Sequence, residues 1–345
     1  MNSKNLTLKL LRTNIFTVLS TKIGNQDICL LDLPNYSNPG DQLIWEGEEA
    51  IFKFLKKHIK YRSSFNYFNP KMISEGDCII LHGGGNFGDL YVSHQKFREY
   101  IIKSFPKNKI IIMSSTIHFT NNENLKKCIK LYSNHSNLII CARDTKSFKI
   151  LKENFKNNNC YLVTDSAFAI DYKPIKKKTF NKVLFISRND SEKSRFEKKE
   201  FEFIKNLEIS DWSIYNQNYK ISLLRQTCTV LNKLVFHLYK FIGLHWDQSY
   251  DVNGILSKFY SKDGQIKDAI KFLSKYDLII TTRLHGHILS SMIGIPNILL
   301  DNSYGKNKNF FNSWMNPNDL NAYYADSVNS VMNIIKVKFP SLLKR

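Results

Sequence analysis

Short apolar runs recur along this 345-residue chain with helical patterns between them, and that alternation restricts the fold more than any other feature. In the first half the runs are Asp27–Leu33, Asp77–Leu81, Lys109–Met113, Leu138–Ala142 and Cys160–Val163. Strands joined through helices must cross over and pair in parallel, and a parallel sheet covered on both faces reads as near-continuous apolar runs. A polar, lysine-rich interval, Asp171–Lys182 with Pro174, then reads as a linker. Beyond it come a strand Val183–Ile186, a helical Glu200–Leu207, a strand-like Trp212–Ile214, a helix Gly264–Ser274 and strands Leu278–Thr281 and Asn297–Leu300. The chain is long for one core. The expected architecture is therefore α/β with two Rossmann-like domains, residues 1–175 and 176–345.

Open parallel sheets bind ligands at the carboxyl ends of their strands, so the residues placed there come next. After Leu278–Thr281 stands Thr282-Arg283-Leu284-His285-Gly286-His287, followed by a helix whose apolar face is Ile288, Leu289, Met292 and Ile293 and which stops at Gly294, with Pro296 beyond. The amino end of such a helix offers free N–H groups and partial positive charge to an anion, most naturally a phosphate. Two readings of the pair stand side by side: Arg283 and His285 bind that anion, or Arg283 pairs with an acid and His285 is satisfied at the helix start.

Two further strand ends carry glycine. Cys78–Leu81 runs into His82-Gly83-Gly84-Gly85-Asn86-Phe87-Gly88-Asp89, where consecutive glycines let backbone approach a ligand and adopt positive φ. The glycine spacing is not that of a dinucleotide fingerprint and no Walker lysine follows, so neither site is supported. Asn35-Tyr36-Ser37-Asn38-Pro39-Gly40-Asp41 opens a helix bearing Leu43, Ile44, Ile51, Phe54 and Leu55, with Asp41 read as its cap. Both loops face one sheet edge and together shape a cleft.

The formal charge is +20, from 50 Lys and Arg against 30 Asp and Glu. It points to an anionic partner, either a phosphorylated substrate or an acidic membrane surface ahead of nucleic acid, or it is simply the lysine-rich composition of the whole chain. No nucleic-acid partner is expected. Cysteines 29, 78, 128, 141, 160 and 228 show no C-x-x-C spacing and read as reduced, buried thiols of a cytosolic protein. Leu6–Leu19 is interrupted by Lys9, Arg12 and Asn14, unlike a signal peptide, and no segment approaches the roughly 20 apolar residues of a span. The expected location is cytoplasmic, with a peripheral contact to the inner face of the plasma membrane left open by Ile221–Trp246. There Leu223, Leu224, Leu231, Leu234, Val235, Leu238, Phe241 and Ile242 form a helical apolar stripe, either a core or domain-capping helix or one that lies on lipid. There is no D-x-D pair, H-E-x-x-H, Cys/His cluster or Gly-x-Ser-x-Gly elbow, so neither a metal nor a serine-hydrolase triad is expected.

Taken in order, Asn38-Pro39-Gly40-Asp41, His82-Gly83-Gly84-Gly85-Asn86, Arg143-Asp144-x-x-Ser147, Arg188-x-Asp190 and Arg283-Leu284-His285-Gly286 resemble the polysaccharide pyruvyl transferase family. The resemblance covers most of the chain, apart from Ile221–Trp246 and the two ends. It implies a cleft between two domains similar to the GT-B glycosyltransferase fold, with phosphoenolpyruvate as co-substrate rather than cofactor and a sugar or lipid-linked saccharide as acceptor. The product would be a pyruvate ketal on an exopolysaccharide, capsule or cell-wall glycan precursor. By the same resemblance Arg283, Leu284, His285 and Gly286 match the donor motif, and Arg143 and Arg188 match recurring basic positions. His118, ending Ser114-Ser115-Thr116-Ile117-His118, falls where relatives have polar site residues.

The chemistry suits those residues. Phosphoenolpyruvate carries a phosphate and a carboxylate, for which arginine's planar, permanently charged fork is fitted. Ketal formation needs a proton at the methylene carbon, and His285 is the expected general acid beside a catalytic Arg283. The C-terminal half is then the donor side, and Asp41, Gly84, Gly85, Asn86 and His118 the acceptor side, with Asp89 a further partner for hydroxyls. A nucleotide-sugar glycosyltransferase on the same fold is the alternative, since a diphosphate would use the same helix start.

Overall fold

The computed structural model describes residues 3–175, 181–188, 196–211, 227, 230–231, 234–239, 241–242, 262–302, 304–316 and 320–344. The first sheet contains β1 (Ile28–Leu31), β2 (Ile59–Ser63), β3 (Cys78–Leu81), β4 (Gly84–Gly88), β5 (Lys109–His118), β6 (Leu138–Ala142) and β7 (Asn159–Leu162), in the order β2-β1-β3-β5-β6-β7, with β4 paired to β5. The second contains β8 (Val183–Ile186), β9 (Leu207–Ser210), β10 (Leu278–Thr281), β11 (Asn297–Leu300) and β12 (Ala322–Ala325), in the order β12-β11-β10-β8-β9. All pairings within both sheets are parallel. The helices with both ends among the described residues include α1 (Ser3–Ser20), α2 (Pro39–Phe54), α3 (Val92–Ser104), α4 (Asn122–Ser133), α5 (Thr145–Asn154), α6 (Lys262–Leu273), α7 (Leu284–Ile293), α8 (Lys306–Trp314) and α9 (Val328–Lys338). The chain is thus α/β with two parallel sheets, as the apolar runs require.

The triple-glycine segment is not the open strand-to-helix loop expected from sequence. β5 is long enough to pair twice: Lys109–Ile112 lies against β3, and Ser115–His118 lies against Gly84–Gly88, which makes the glycine segment a strand. The break between β3 and β4 falls at Gly83, where a Cβ would stand 2.6 Å from the Ser114 carbonyl oxygen. The expected helix Glu200–Leu207 is instead a single 3-10 turn, Lys198–Phe201, and Leu207 already begins β9. Phe201 and Ile204 are buried, so the apolar residues that suggested a helix anchor a turn against the second sheet. The strand expected at Trp212–Ile214 lies outside the described residues.

An apolar cluster runs from one sheet to the other. It includes Leu30 and Ile111 of the first sheet, Leu43 and Ile51 of α2, Ile288 and Met292 of α7, and Leu184, Ile279 and Leu299 of the second sheet. Phe168 and Phe310 stack across the same boundary with centroids 6.5 Å apart. Polar clamps add to it: Lys262 at the start of α6 pairs with Glu46 and Glu49 on α2, and the Trp314 indole N–H donates to the Arg143 carbonyl at 2.6 Å.

Cys29, Cys78, Cys128 and Cys141 are buried and unpaired, and burial pushes the thiols of Cys78, Cys128 and Cys141 up to about 12. Such thiols are inert. No helix among the described residues is long and apolar enough to cross a membrane. In the stripe, Val230, Leu231, Leu234, Leu238, Phe241 and Ile242 are exposed, Phe241 by 89 %. The core reading does not hold at those positions; beside the stripe, Phe236 meets the first half, its ring centroid 5.3 Å from that of Tyr67.

Candidate active site

Each sheet reverses its strand order once, at β1/β3 in the first and at β8/β10 in the second. Connections leaving neighbouring strands in opposite directions open a crevice outside their carboxyl ends. The two crevices face one cavity of about 420 Å³. Tyr36, Ser37, Asn38, Asp41, Gly85, Asn86, Tyr91, His94 and Arg143 line it from the first half, and Arg188, Arg283, Leu284, His285 and Lys306 from the second.

α7 begins directly after β10 because Arg283 takes extended backbone angles as its N-cap without a side-chain cap, which leaves the first N–H groups of the helix for another partner. His285, in the first turn, places Nε2 3.3 Å from an oxygen of Asp165. Its ring rests on Gly40: a Cβ there would lie 2.8 Å from Nδ1, which is why this close approach needs glycine. Gly286 is likewise constrained, since a Cβ would meet the Thr281 hydroxyl at 2.7 Å.

Asp165 is buried and also pairs with Arg143 Nη1, at 2.9 Å. Burial opposes its charge, but His285 first, then Arg143 and the Ala167 N–H, hold the carboxyl well below the usual carboxylate range. Arg143 Nε donates to Thr116 Oγ1 at 2.8 Å. A Cβ on Gly85 would stand 3.3 Å from both Arg143 Nη2 and Lys306 Nζ, so two cations converge where the glycine strand has no side chain.

Arg283 has the acid partner that one reading of its position expects. Its Nε and Nη2 form a bidentate pair with Asp211, at 2.6 and 2.8 Å, while the residue still lines the cavity. Arg188 is anchored by its backbone N–H on Thr282 Oγ1 and donates from Nη2 to the Tyr91 hydroxyl at 3.4 Å. Asp190 of the Arg188-x-Asp190 motif lies outside the described residues.

On the opposite wall Asn38, not Asp41, caps α2 by accepting from the Gly40 N–H. The Asp41 carboxylate instead accepts from the Tyr36 hydroxyl at 2.9 Å and from Asn38 Nδ2 at 2.7 Å. Burial, with Asp41 beside it, pushes the Tyr36 phenol up and keeps it a donor. Asn86 lines the cavity with its side-chain oxygen engaged by Arg98. Three expected contributors sit elsewhere. Gly84 and His118 do not line this cavity, and the His118 ring stacks on Tyr304 at 4.3 Å. Asp89 is taken up by the N–H groups of Thr120 and Asn121 and the Asn124 amide, so it fixes a turn rather than waiting for hydroxyls.

Sequence reasoning missed Asp165, Asp211, Lys306, His94 and Asp32. Lys306 follows β11 and Asp165 follows β7, so the strand-end rule that found Arg283 would have flagged both. Asp211 directly follows β9, but from sequence that strand reads as the end of a helix, and nothing local marks His94.

His287, the second histidine of the motif, is fully buried, 2.5 Å from Asn297 Oδ1, and burial lowers its pKa from 6.5 to about 4. A histidine held neutral in the fold is protonated more readily once unfolded, so its stabilising contribution is complete above 6.5 and is lost as pH falls towards 4. The expected slope is about 1.4 kcal/mol per pH unit in that window. Melting temperatures from pH 7.5 to 4.5 should fall more gently for His287→Asn than for the wild type; parallel curves would rule out this source of acid sensitivity.

Two parallel α/β sheets whose switch points share one cation-rich cleft define the class by architecture. The model of the family "Polysaccharide pyruvyl transferase" matches residues 23–304, and the chain belongs to that family and is a transferase. Over 295 residues it is 35 % identical to the Bacillus subtilis (strain 168) protein named "Putative pyruvyl transferase EpsO", covering 84 % of this chain and 85 % of that one. It is 25 % identical to Schizosaccharomyces pombe "Pyruvyl transferase 1" over 335 residues, covering 90 % and 76 %. A crystal structure of an uncharacterized Klebsiella pneumoniae protein shares the fold with a TM-score of 0.57 at 21 % identity, covering 92 % of this chain and 99 % of that one.

Proposed function

We propose that the protein transfers the pyruvyl group of phosphoenolpyruvate to two hydroxyls of one sugar in a bacterial exopolysaccharide, capsule or cell-wall glycan precursor, forming a cyclic ketal. The observation that carries this reading is the convergence of Arg143, Arg188, Arg283, Lys306 and His285 on one cavity that Asp41 and Asn86 also line. Phosphoenolpyruvate concentrates a phosphate and a carboxylate on three carbons, and fixed cations beside the open N–H groups of α7 answer that charge. Asp165 and Asp211 balance Arg143 and Arg283, so those two guanidiniums line the cavity without being buried as unpaired charges. In this reading His285 delivers a proton to the methylene carbon, a sugar hydroxyl attacks the central carbon, phosphate leaves, and a second hydroxyl closes the ring. The reaction needs no cofactor.

The test incubates the purified protein with phosphoenolpyruvate and a panel of p-nitrophenyl hexosides, reading phosphate release and a pyruvyl mass gain on the sugar. Consumption of a UDP- or CDP-sugar without phosphoenolpyruvate turnover would replace this reading with the glycosyltransferase one.

The exposed stripe and the basic charge together support a peripheral contact with an acidic membrane that carries a lipid-linked acceptor. Interfacial binding needs apolar area as well as charge, so Phe241→Asp should weaken cosedimentation with phosphatidylserine vesicles even at low salt, while salt weakens the wild type. At 89 % exposure Phe241 should leave the melting temperature unchanged when replaced. Wild-type vesicle binding by the variant would remove the stripe from the contact.

A further inference from the structure

The acceptor wall holds a histidine that nothing above employs. His94, on the first turn of α3, lines the cavity, and its Nδ1 lies 2.8 Å from Asp32 Oδ1. Asp32 is fully buried and directly follows β1, at the switch point of the first sheet, with a left-handed φ of 65°. A non-glycine residue held in that region is uncommon, and such strain is concentrated where a side chain must be aimed. Arg98, also buried, stands behind the carboxylate with Nη2 3.8 Å away. Tyr36, Phe65 and Tyr91 meet the imidazole edge to face, at 6.3, 5.1 and 6.5 Å between centroids, so the ring is held on several sides. Nδ1 is occupied by Asp32, and Nε2 has no protein partner among the described residues.

We infer that His94 is the general base that takes the proton from the attacking sugar hydroxyl, with Asp32 as its positioning residue; this rests on the proposed transfer from phosphoenolpyruvate. A buried carboxylate on Nδ1–H fixes the tautomer that leaves Nε2 free to accept, and it stabilises the imidazolium that forms. The step balances as follows. His285 gives a proton to the methylene carbon. The first hydroxyl oxygen bonds to the central carbon while its proton passes to His94 Nε2. Phosphate leaves with the electrons of its C–O bond, and the second hydroxyl closes the ring, its proton going to that phosphate. Solvent then returns a proton to His285 and removes one from His94. Acid and base thus stand on opposite walls of the cavity, one at each switch point.

The test compares wild type, His94→Ala, His94→Gln and Asp32→Asn for turnover with the hexoside panel, phosphoenolpyruvate affinity by calorimetry, and melting temperature. His94→Ala should lose roughly 10²- to 10⁴-fold in kcat with phosphoenolpyruvate affinity within about threefold of wild type. Added imidazole should restore part of the rate, which a purely structural histidine would not allow. His94→Gln should lose the decline in rate towards low pH that a base must show, whereas Asp32→Asn, which keeps the imidazole, should retain that decline and fall between wild type and His94→Ala in kcat. His94→Ala turning over within threefold of wild type, or losing donor affinity in step with rate and without rescue, overturns the assignment to His94. A wild type that never consumes phosphoenolpyruvate overturns the donor reading itself, and the dyad's role with it.

Discussion

Replacing Asp165 with asparagine is expected to lower the stability of the fold by about 3–5 kcal/mol and to remove measurable transfer, because the buried Arg143 guanidinium would lose the carboxylate that balances it. Arg143 and His285 meet the same oxygen of Asp165, at 2.9 and 3.3 Å, and neither Arg143 nor Asp165 has appreciable contact with solvent. An amide keeps the shape and can still accept from the Ala167 N–H, but it cannot offset the charge of the guanidinium. The acid response follows from the depressed carboxyl: its stabilisation is present above the ordinary aspartate pKa and is lost as pH falls below that value. Wild type should therefore lose stability under strong acid over a range where Asp165→Asn is already weak and less responsive. Denaturant melts at neutral pH decide the matter, and a variant within about 1 kcal/mol of wild type would show that the cluster is not held by this charge.

The fold was legible because parallel strands buried on both faces leave a local trace. Val183–Ile186, Leu278–Thr281, Asn297–Leu300 and Leu138–Ala142 are buried tetrads or pentads, apolar except at Thr281 and Asn297, that could be read off without their partners. The edge strands left less. In β2, Lys60 and Arg62 alternate with the buried Tyr61 and Ser63, and β12 is only Ala322–Ala325, so neither forms a run. The triple glycine misled because its conformation is set by Ser115–His118, which recruit it into a strand from a distance in sequence.

The site was half legible for a related reason. Arg143, Arg188, Arg283 and His285 lie just past strand ends, where the strand-end rule looks, and Asp41 and Asn86 stand in recognisable motifs. What completes them comes from long-range pairing. Asp211 reaches Arg283 across 72 positions, Asp165 reaches His285 across 120, and Asp32 reaches His94 across 62. A carboxylate that balances an arginine carries no signal of its own, since any surface aspartate has the same letter. Of the alternatives first set against each other for Arg283, anion binding or an acid partner, the structure supplies the acid partner, Asp211, and leaves the residue on the cavity lining.

Replacing His285 with alanine should lower turnover at saturating phosphoenolpyruvate by roughly 10²- to 10⁴-fold, while donor affinity changes far less, as expected for a proton donor rather than an anchor. Asp165 engages Nε2, so Nδ1 is the nitrogen that carries the transferable proton. That same nitrogen faces Gly40, and a methyl there would come within 2.8 Å of it. Gly40→Ala therefore tests the chemistry without touching the imidazole: the ring must shift, and a proton donor displaced by a few tenths of an ångström loses rate before it loses its substrate. If His285 served only as a cation for the phosphate, His285→Ala would weaken affinity in step with turnover. A shift of Nδ1 would also matter little to a diffuse charge, so Gly40→Ala would then be near neutral in rate. Loss of rate in both variants with donor affinity retained is the result that separates an acid from a counter-ion.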